Sequence, residues 1–185
     1  TNLTAPQKDN GKSSYYSDYL MLLEHFCLSN WKELIFQVSI NPRMLEFLNN
    51  DLNTKGLVNE NYARELLELY TIGVGKPLYI DDNGNVAFDG DPLNYSEKID
   101  IPEVARILTG WRFDKNDRPG MPLNGTENGN LPTGYALPDE HDFGAKQLSE
   151  YFDNYPIDAF DTTGKTDSEK KAQMESELRG LIDKI

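Results

Sequence analysis

His25 and His141 are the only two imidazoles in the 185 residues, and Asp142 directly follows the second. Glu65 and Glu68 stand three residues apart in a stretch of helical period, which puts both carboxylates on one face. Carboxylates from one helix and imidazoles from elsewhere are the donors that Zn, Mn or Fe takes, with an open position for water where the metal is catalytic. The cofactor of such a site would be a divalent metal and its chemistry metal-assisted hydrolysis or redox. Glu65, Glu68, His141 and His25 would be the ligands, with Asp142 as a further ligand or proton carrier. A wider candidate polar site adds Asn61, Arg64, Arg106, Trp111 and Lys146.

The same residues admit a second reading. Arg64, Glu65 and Glu68 would pair with Arg106, Arg112 or Lys146 in a buried polar network, while His141 and Asp142 pin a long loop; ion-pair networks perturb carboxylates as readily as active sites do. His25 projects among Leu22, Phe26 and Leu28, where a lone histidine is a hydrogen-bonded core residue unless it is a ligand. Trp111 after Gly110 is a core plug whose indole N–H needs a partner, or else a platform for stacking carbohydrate.

These side chains need elements to hold them. Apolar residues recur at helical spacing from Ser17 to Leu28, and Asn30 with Glu33 forms a capping pattern ahead of Leu34, Ile35 and Phe36. Asn41-Pro42 repeats the start signal for a short helix from Arg43 to Leu48. The strongest pattern runs from Asn59 to Ile72 and ends at Gly73. It sets Tyr62, Ala63, Leu66, Leu67, Leu69 and Tyr70 opposite Asn61, Arg64, Glu65 and Glu68. Asp100 to Glu103 reads as a capping box that opens a helix through Thr109, and Gly110 closes it. Thr166 with Glu169 caps the last helix, whose apolar stripe is Met174, Leu178, Leu181, Ile182 and Ile185.

Between the helices, Asn83-Gly84 lies between two short apolar runs and predicts a β-hairpin within Lys76 to Asp91. Arg112 to Phe160 holds half of the prolines and many glycines, and predicts a long irregular region. The expected fold is mainly α: a helical array with one inserted β-hairpin and a long irregular loop region. Residues 1–14 read as a polar arm and residues 15–185 as the middle portion of one larger helical domain.

Composition removes several classes. Thirty-one acidic against eighteen basic side chains, a net charge of −13, would repel a phosphate backbone, so nucleic acid is not an expected partner. No apolar run approaches the ~20 residues that span a bilayer. The single Cys27 forms neither an intrachain disulfide nor a thiolate zinc site. Asp81-x-Asn83-x-Asn85 imitates a calcium loop, but Val86 stands where its glycine belongs and Pro92 where its bidentate glutamate belongs. Serine-hydrolase, P-loop and dinucleotide fingerprints do not occur.

Three stretches together resemble the bacterial family known as domain of unknown function 1800: NENYARELLELYTIG (59–73), IPEVARILTGW (101–111) and HDFGAK (141–146). His25-Phe26 and the run NWKELIFQVSINPRMLEFL (30–48) are similar to the family's first helices. The resemblance implies a mostly helical, usually exported bacterial protein, often encoded beside a sulfatase-like protein, with no activity established for the family as a whole. The location it implies is periplasmic, outer-membrane-associated or extracellular. The expected role is an envelope or cell-surface assembly or binding component, whose partners are other envelope or surface proteins, a sulfatase-like protein or glycans. The alternative is a metal-dependent enzyme, hydrolytic or redox, using Glu65, Glu68, His141 and Asp142. Where the family has a longer connector after the His-Phe helix, this sequence has only Cys27, Leu28 and Ser29, so a gap in the chain is expected between Ser29 and Asn30.

Overall fold

The computed structural model describes residues 12–74, 79–80, 86–87, 94–113 and 133–185, with side chains from residue 18 onward and outside the hairpin strands. Residues 1–11 of the polar arm, the Asn83-Gly84 turn and the Asp81, Asn83 and Asn85 positions of the calcium-like motif lie outside the described residues, while residues 12–14 of the arm belong to the first helix. Six α-helices are described: α1 (Lys12–Phe26), α2 (Trp31–Ser39), α3 (Pro42–Phe47), α4 (Glu60–Glu65), α5 (Asp100–Ile107) and α6 (Asp167–Ile182). Three two-stranded antiparallel ladders accompany them. β1 (Tyr79–Ile80) pairs with β2 (Val86–Ala87), which is the hairpin read from the sequence. β3 (Trp111–Arg112) pairs with β4 (Tyr135–Ala136), and β5 (Lys146–Gln147) with β6 (Pro156–Ile157).

Most helix starts follow the local signals. Asn30 Oδ1 accepts from the Lys32 and Glu33 amides at 2.8 and 3.4 Å, and Asn41 Oδ1 from the Arg43 amide at 2.9 Å with Pro42 in the first turn. Thr166 and Glu169 form a reciprocal capping box on α6. Cys27 to Ser29 make a tight turn in which the Ser29 amide donates to Phe26 O at 3.0 Å. The Asn30 cap follows, with the Leu34 amide donating to Asn30 O at 3.0 Å.

Four expectations are corrected. α1 begins at Lys12, five residues before the apolar period does. Asp100 is not an N-cap: it is the first residue of α5, fully buried, and its carboxylate accepts from the Ser96 amide and from the amide and hydroxyl of Ser149 at 2.6–2.8 Å. The region from Arg112 to Phe160 is not irregular throughout, since β3 to β6 and two 3₁₀ turns (Pro138–Glu140, Glu150–Phe152) lie in or at the edge of it.

The last correction concerns the central helix. It is α-helical only to Glu65 and continues as a π-helix over Leu66–Tyr70. Winding each hydrogen-bonded turn over one extra residue sets the following side chains back around the axis. Leu69, expected on the apolar face, is therefore 69% exposed, and Tyr70 is only half-buried. Thr71 Oγ1 donates to Leu66 O at 2.7 Å and the Gly73 amide to Leu67 O at 2.9 Å, which closes the wide turn.

One hydrophobic core joins these elements. Leu45, Tyr62, Leu66, Ile101, Leu148 and Leu178 come from five different parts of the chain, and each is fully buried. Burying a large apolar side chain contributes about 1.5–3 kcal/mol. α4 packs on α5, and α5 packs on α6 and β5, so the HDFGAK segment is clasped between the last two helices.

Candidate functional site

The turn that follows α5 ends at Gly110, whose φ of +76° and tight surroundings only glycine meets: an added Cβ would lie 2.8 Å from Leu137 O and 3.0 Å from His141 N. That close approach brings residues 137–146 across the end of α5. Thr109 then serves as a hub. Its hydroxyl donates to Arg106 O at 2.6 Å and accepts from the Asp142 amide at 2.9 Å. His141 Nδ1 lies 2.8 Å from Thr109 O and 3.1 Å from Thr109 Oγ1. A carbonyl can only accept, so Nδ1 carries a proton.

On its other side His141 Nε2 meets Glu177 Oε2 at 3.3 Å, and Lys146 Nζ meets the same oxygen at 2.7 Å. All three side chains are 0–1% exposed. Lys146 spends its remaining N–H groups on Asp142 O at 2.5 Å and Gly144 O at 3.1 Å, and Gln173 Nε2 donates to Glu177 Oε1 at 3.2 Å. Every donor of the ammonium and both oxygens of the carboxylate are thereby satisfied. Burial opposes the charge on Glu177, but the His141 hydrogen bond and the Lys146 ammonium outweigh it and hold its carboxyl below the usual range. Phe143 closes the junction, edge-on to the His141 ring at 4.7 Å and against Phe160 at 5.6 Å.

Beside this junction Arg106 bridges Glu103 Oε2 (2.7 Å) and Asp142 Oδ2 (2.8 Å), and the Asp142 Oδ1 oxygen accepts from the Gly144 amide at 2.8 Å. Burial works against the Asp142 charge as well, and the Arg106 hydrogen bond again prevails to lower its pKa. Arg112 donates to Asn53 O at 3.2 Å and is paired with Glu140, while Asn53 and Asn50 reach Ala105 O and Leu108 O at 2.8 and 3.0 Å. The chain from Asn50 to Asn59 is thus pinned to the end of α5.

The predicted site residues fall into separate groups. His141, Asp142, Lys146 and Arg106 come together. Glu68 does not join them: it accepts from Tyr95 Oη and faces Arg64 at 3.6 Å, and Arg64 also reaches Glu97 at 3.2 Å. Burial and then the Glu68 carboxylate push the Tyr95 hydroxyl up to about 12. Among the described residues Glu65 makes no ion pair, and Asn61 is exposed with its amide on Leu48 O at 3.3 Å. His25 is exposed at the end of α1, edge-on to Phe26 at 4.8 Å, so it is not a core residue. Trp111 is a core plug, 4% exposed and edge-to-face with Phe36 at 6.5 Å, yet its indole N–H has no acceptor among the described residues.

The expected pairing of Glu65 and Glu68 with Arg106, Arg112 or Lys146 is therefore not the one observed. The polar face of α4 and its π extension is not directed at the histidine-bearing strap. Among the described residues no group of three or more His, Cys, Asp or Glu is placed to hold a metal ion, so Glu65, Glu68, His141 and His25 are not gathered into a metal centre. Glu177, the residue on which the junction turns, was missed. Its signal was an acidic side chain three residues after Met174 and one before Leu178, inside the apolar stripe of α6.

A mainly helical module whose motif residues close a buried ionic junction between α5, a strap and α6 is the class these features define. The chain belongs to the family described as protein of unknown function (DUF1800), whose sequence model matches residues 2–173. No curated protein and no solved structure matches the chain.

Proposed function

We propose that this chain serves an exported bacterial protein as a binding or assembly module of the cell envelope or surface, with its motif residues holding the fold rather than turning over a substrate. The observation that carries the reading is the closure of the His141–Glu177–Lys146 junction, in which every bonding position is taken from within the chain and no face meets solvent. A catalytic group has to touch its substrate. The outside of the molecule supports the reading from the other direction. The α3–α4 connector is tied down by Asn50, Asn53 and Arg112, yet it presents Leu52 and Leu57 at 61% and 74% exposure, next to Phe47 at 57%. Export follows from the family resemblance. Among the described residues no helix is long and apolar enough to cross a membrane.

The test is made in the bacterium that encodes the chain. Fractionation with protease shaving of whole cells should find the protein outside the cytoplasm. A photo-crosslinking amino acid at position 57 should yield adducts with envelope proteins, a sulfatase-like protein among them. A cytoplasmic protein without adducts would overturn the proposal. So would a stoichiometric bound metal lost on His141→Gln, which would favour the metal-dependent enzyme.

A further inference from the structure

α1, α3 and the π turn leave a cup of about 170 Å³ between Tyr19, Arg43, Met44, Phe47 and Tyr70. Small-molecule sites usually offer ~300–1,000 Å³, so this one has room for a single side chain and not for a whole ligand. Its walls can be reached from outside. Phe47 is 57% exposed, and Tyr19, Arg43 and Tyr70 are half-buried around a buried Met44. Tyr, Phe, Met and Arg are the residue types enriched where proteins meet. Short π segments inside helices frequently mark functional sites, and the one in this chain ends on Tyr70.

The polar groups of the cup are partly unspent. Neither the Tyr19 nor the Tyr70 hydroxyl is hydrogen-bonded among the described residues. A π winding bonds residues five apart, so Glu65 stands one turn before Tyr70 on the same side. Burial and then that carboxylate push the Tyr70 hydroxyl up. Glu65 is half-buried and makes no ion pair among the described residues. Arg43, by contrast, already faces Glu46 at 3.7 Å and lies over the Phe47 ring at 5.4 Å.

Charge then selects the occupant. Five acidic and three basic side chains lie between Pro42 and Tyr70. Of the three cations, Arg43 is matched by Glu46, and Arg64 by Glu68 and Glu97, which leaves Glu65 and the exposed Glu60 in excess. A second copy of the chain would bring a further −13 to this face and be repelled, whereas a basic partner would be attracted. We propose that the cup receives one leucine- or phenylalanine-sized side chain from a basic segment of a partner protein, with a lysine or arginine beside that anchor meeting Glu65. The inference rests on the binding-module reading and deepens it by naming the chemistry of the partner.

The experiment titrates the whole chain with acetyl-Lys-Lys-Phe-Lys-Lys-amide and with its leucine and alanine analogues. Acetyl-Glu-Glu-Phe-Glu-Glu-amide serves as the acidic comparison. Binding is followed by isothermal calorimetry and by the backbone amide cross-peaks of Arg43, Phe47 and Tyr70. The phenylalanine or leucine peptide should bind saturably, with a dissociation constant tighter than about 1 mM at ~0.05 M salt, and more weakly at ~0.5 M salt. The alanine analogue and the acidic peptide should bind about tenfold more weakly or not at all. Phe47→Ser, which alters an exposed side chain, should weaken binding of the parent peptide about tenfold. Glu65→Gln should weaken the basic peptides and flatten their salt dependence. The proposal is overturned when neither anchored basic peptide binds, when the alanine analogue binds as tightly, or when both variants bind like the parent. Self-association that sedimentation detects and Phe47→Ser abolishes would overturn it too, by making a second copy the occupant. Adducts from position 57 together with silent titrations would remove the cup and leave the module reading standing. Peptide binding by a protein found in the cytoplasm would do the reverse.

Discussion

Removing one partner of the Lys146–Glu177 pair should cost much more than the pair itself contributes. With both side chains 0–1% exposed, Glu177→Gln strands an ammonium with no counter-charge beside a histidine. Breaking a buried pair in this way costs about 3–5 kcal/mol, whereas replacing both partners by apolar groups is often nearly neutral. Urea denaturation should show that loss for Glu177→Gln and recovery of much of it in Lys146→Met/Glu177→Leu. A single variant within ~1 kcal/mol of the parent would contradict the burial argument. The junction also sets an acid limit. Glu177 and Asp142 both have carboxyl pKa values lowered by folding, so between the folded and ordinary values the unfolded chain binds more protons. Their stabilisation is present above the ordinary carboxylate range and is lost as pH falls through the folded values. Denaturation followed from pH 7 downward should give a shallower slope in Glu177→Gln than in the parent. At this scale HDFGAK was legible as a polar cluster, because its residue types leave few other uses. Its partner was not, because an acidic residue on an amphipathic helix reads as solvated until the neighbouring strap is in place.

Two glycines, each just past the C-terminal end of a helix, separate local conformation from packing. Gly73 has φ +77° with nothing within 4 Å of an added Cβ, while Gly110 has φ +76° with backbone atoms at 2.8–3.2 Å. A left-handed backbone costs an L-residue roughly 1–2 kcal/mol. Gly73→Ala should lose about that much, and Gly110→Ala should add an overpacking cost of about 1–3 kcal/mol and disturb the His141 strap. Equal losses by thermal or urea unfolding would mean that the strap moves aside freely. The starts of α2, α3 and α6 were legible because capping is a contact between residues two or three apart. The π turn at Leu66–Tyr70 was not, because α and π winding differ by one residue per hydrogen bond. The choice there accompanies bonds from Thr71 and Gly73 and the reach of Glu68 to Tyr95. Asp100 misled for a related reason: its position fits a cap, but a distant serine, Ser149, claimed its carboxylate.

Across the whole molecule, 31 acidic and 18 basic side chains leave a repulsion that salt should relieve. The Debye length falls from ~30 Å at 0.01 M to ~3 Å at 1 M. Exposed pairs such as Lys32–Asp183 and Lys165–Glu169 contribute only about 0–1 kcal/mol each and are screened too. Sodium chloride added over that range should therefore raise Tm. A falling Tm would mean that attractive surface pairs outweigh the net charge. By itself the sequence determined the helical class, the hairpin, most of the helix starts and the kinship of the chain, since these rest on period, caps and motif order within a few residues. Only the tertiary structure decided which charges meet. It set Glu177 rather than Glu65 or Glu68 against His141 and Lys146, turned His25 outward, and buried the Trp111 indole N–H without an acceptor among the described residues. Those pairings join residues tens of positions apart, where Coulomb attraction and desolvation depend on distances that no local pattern carries.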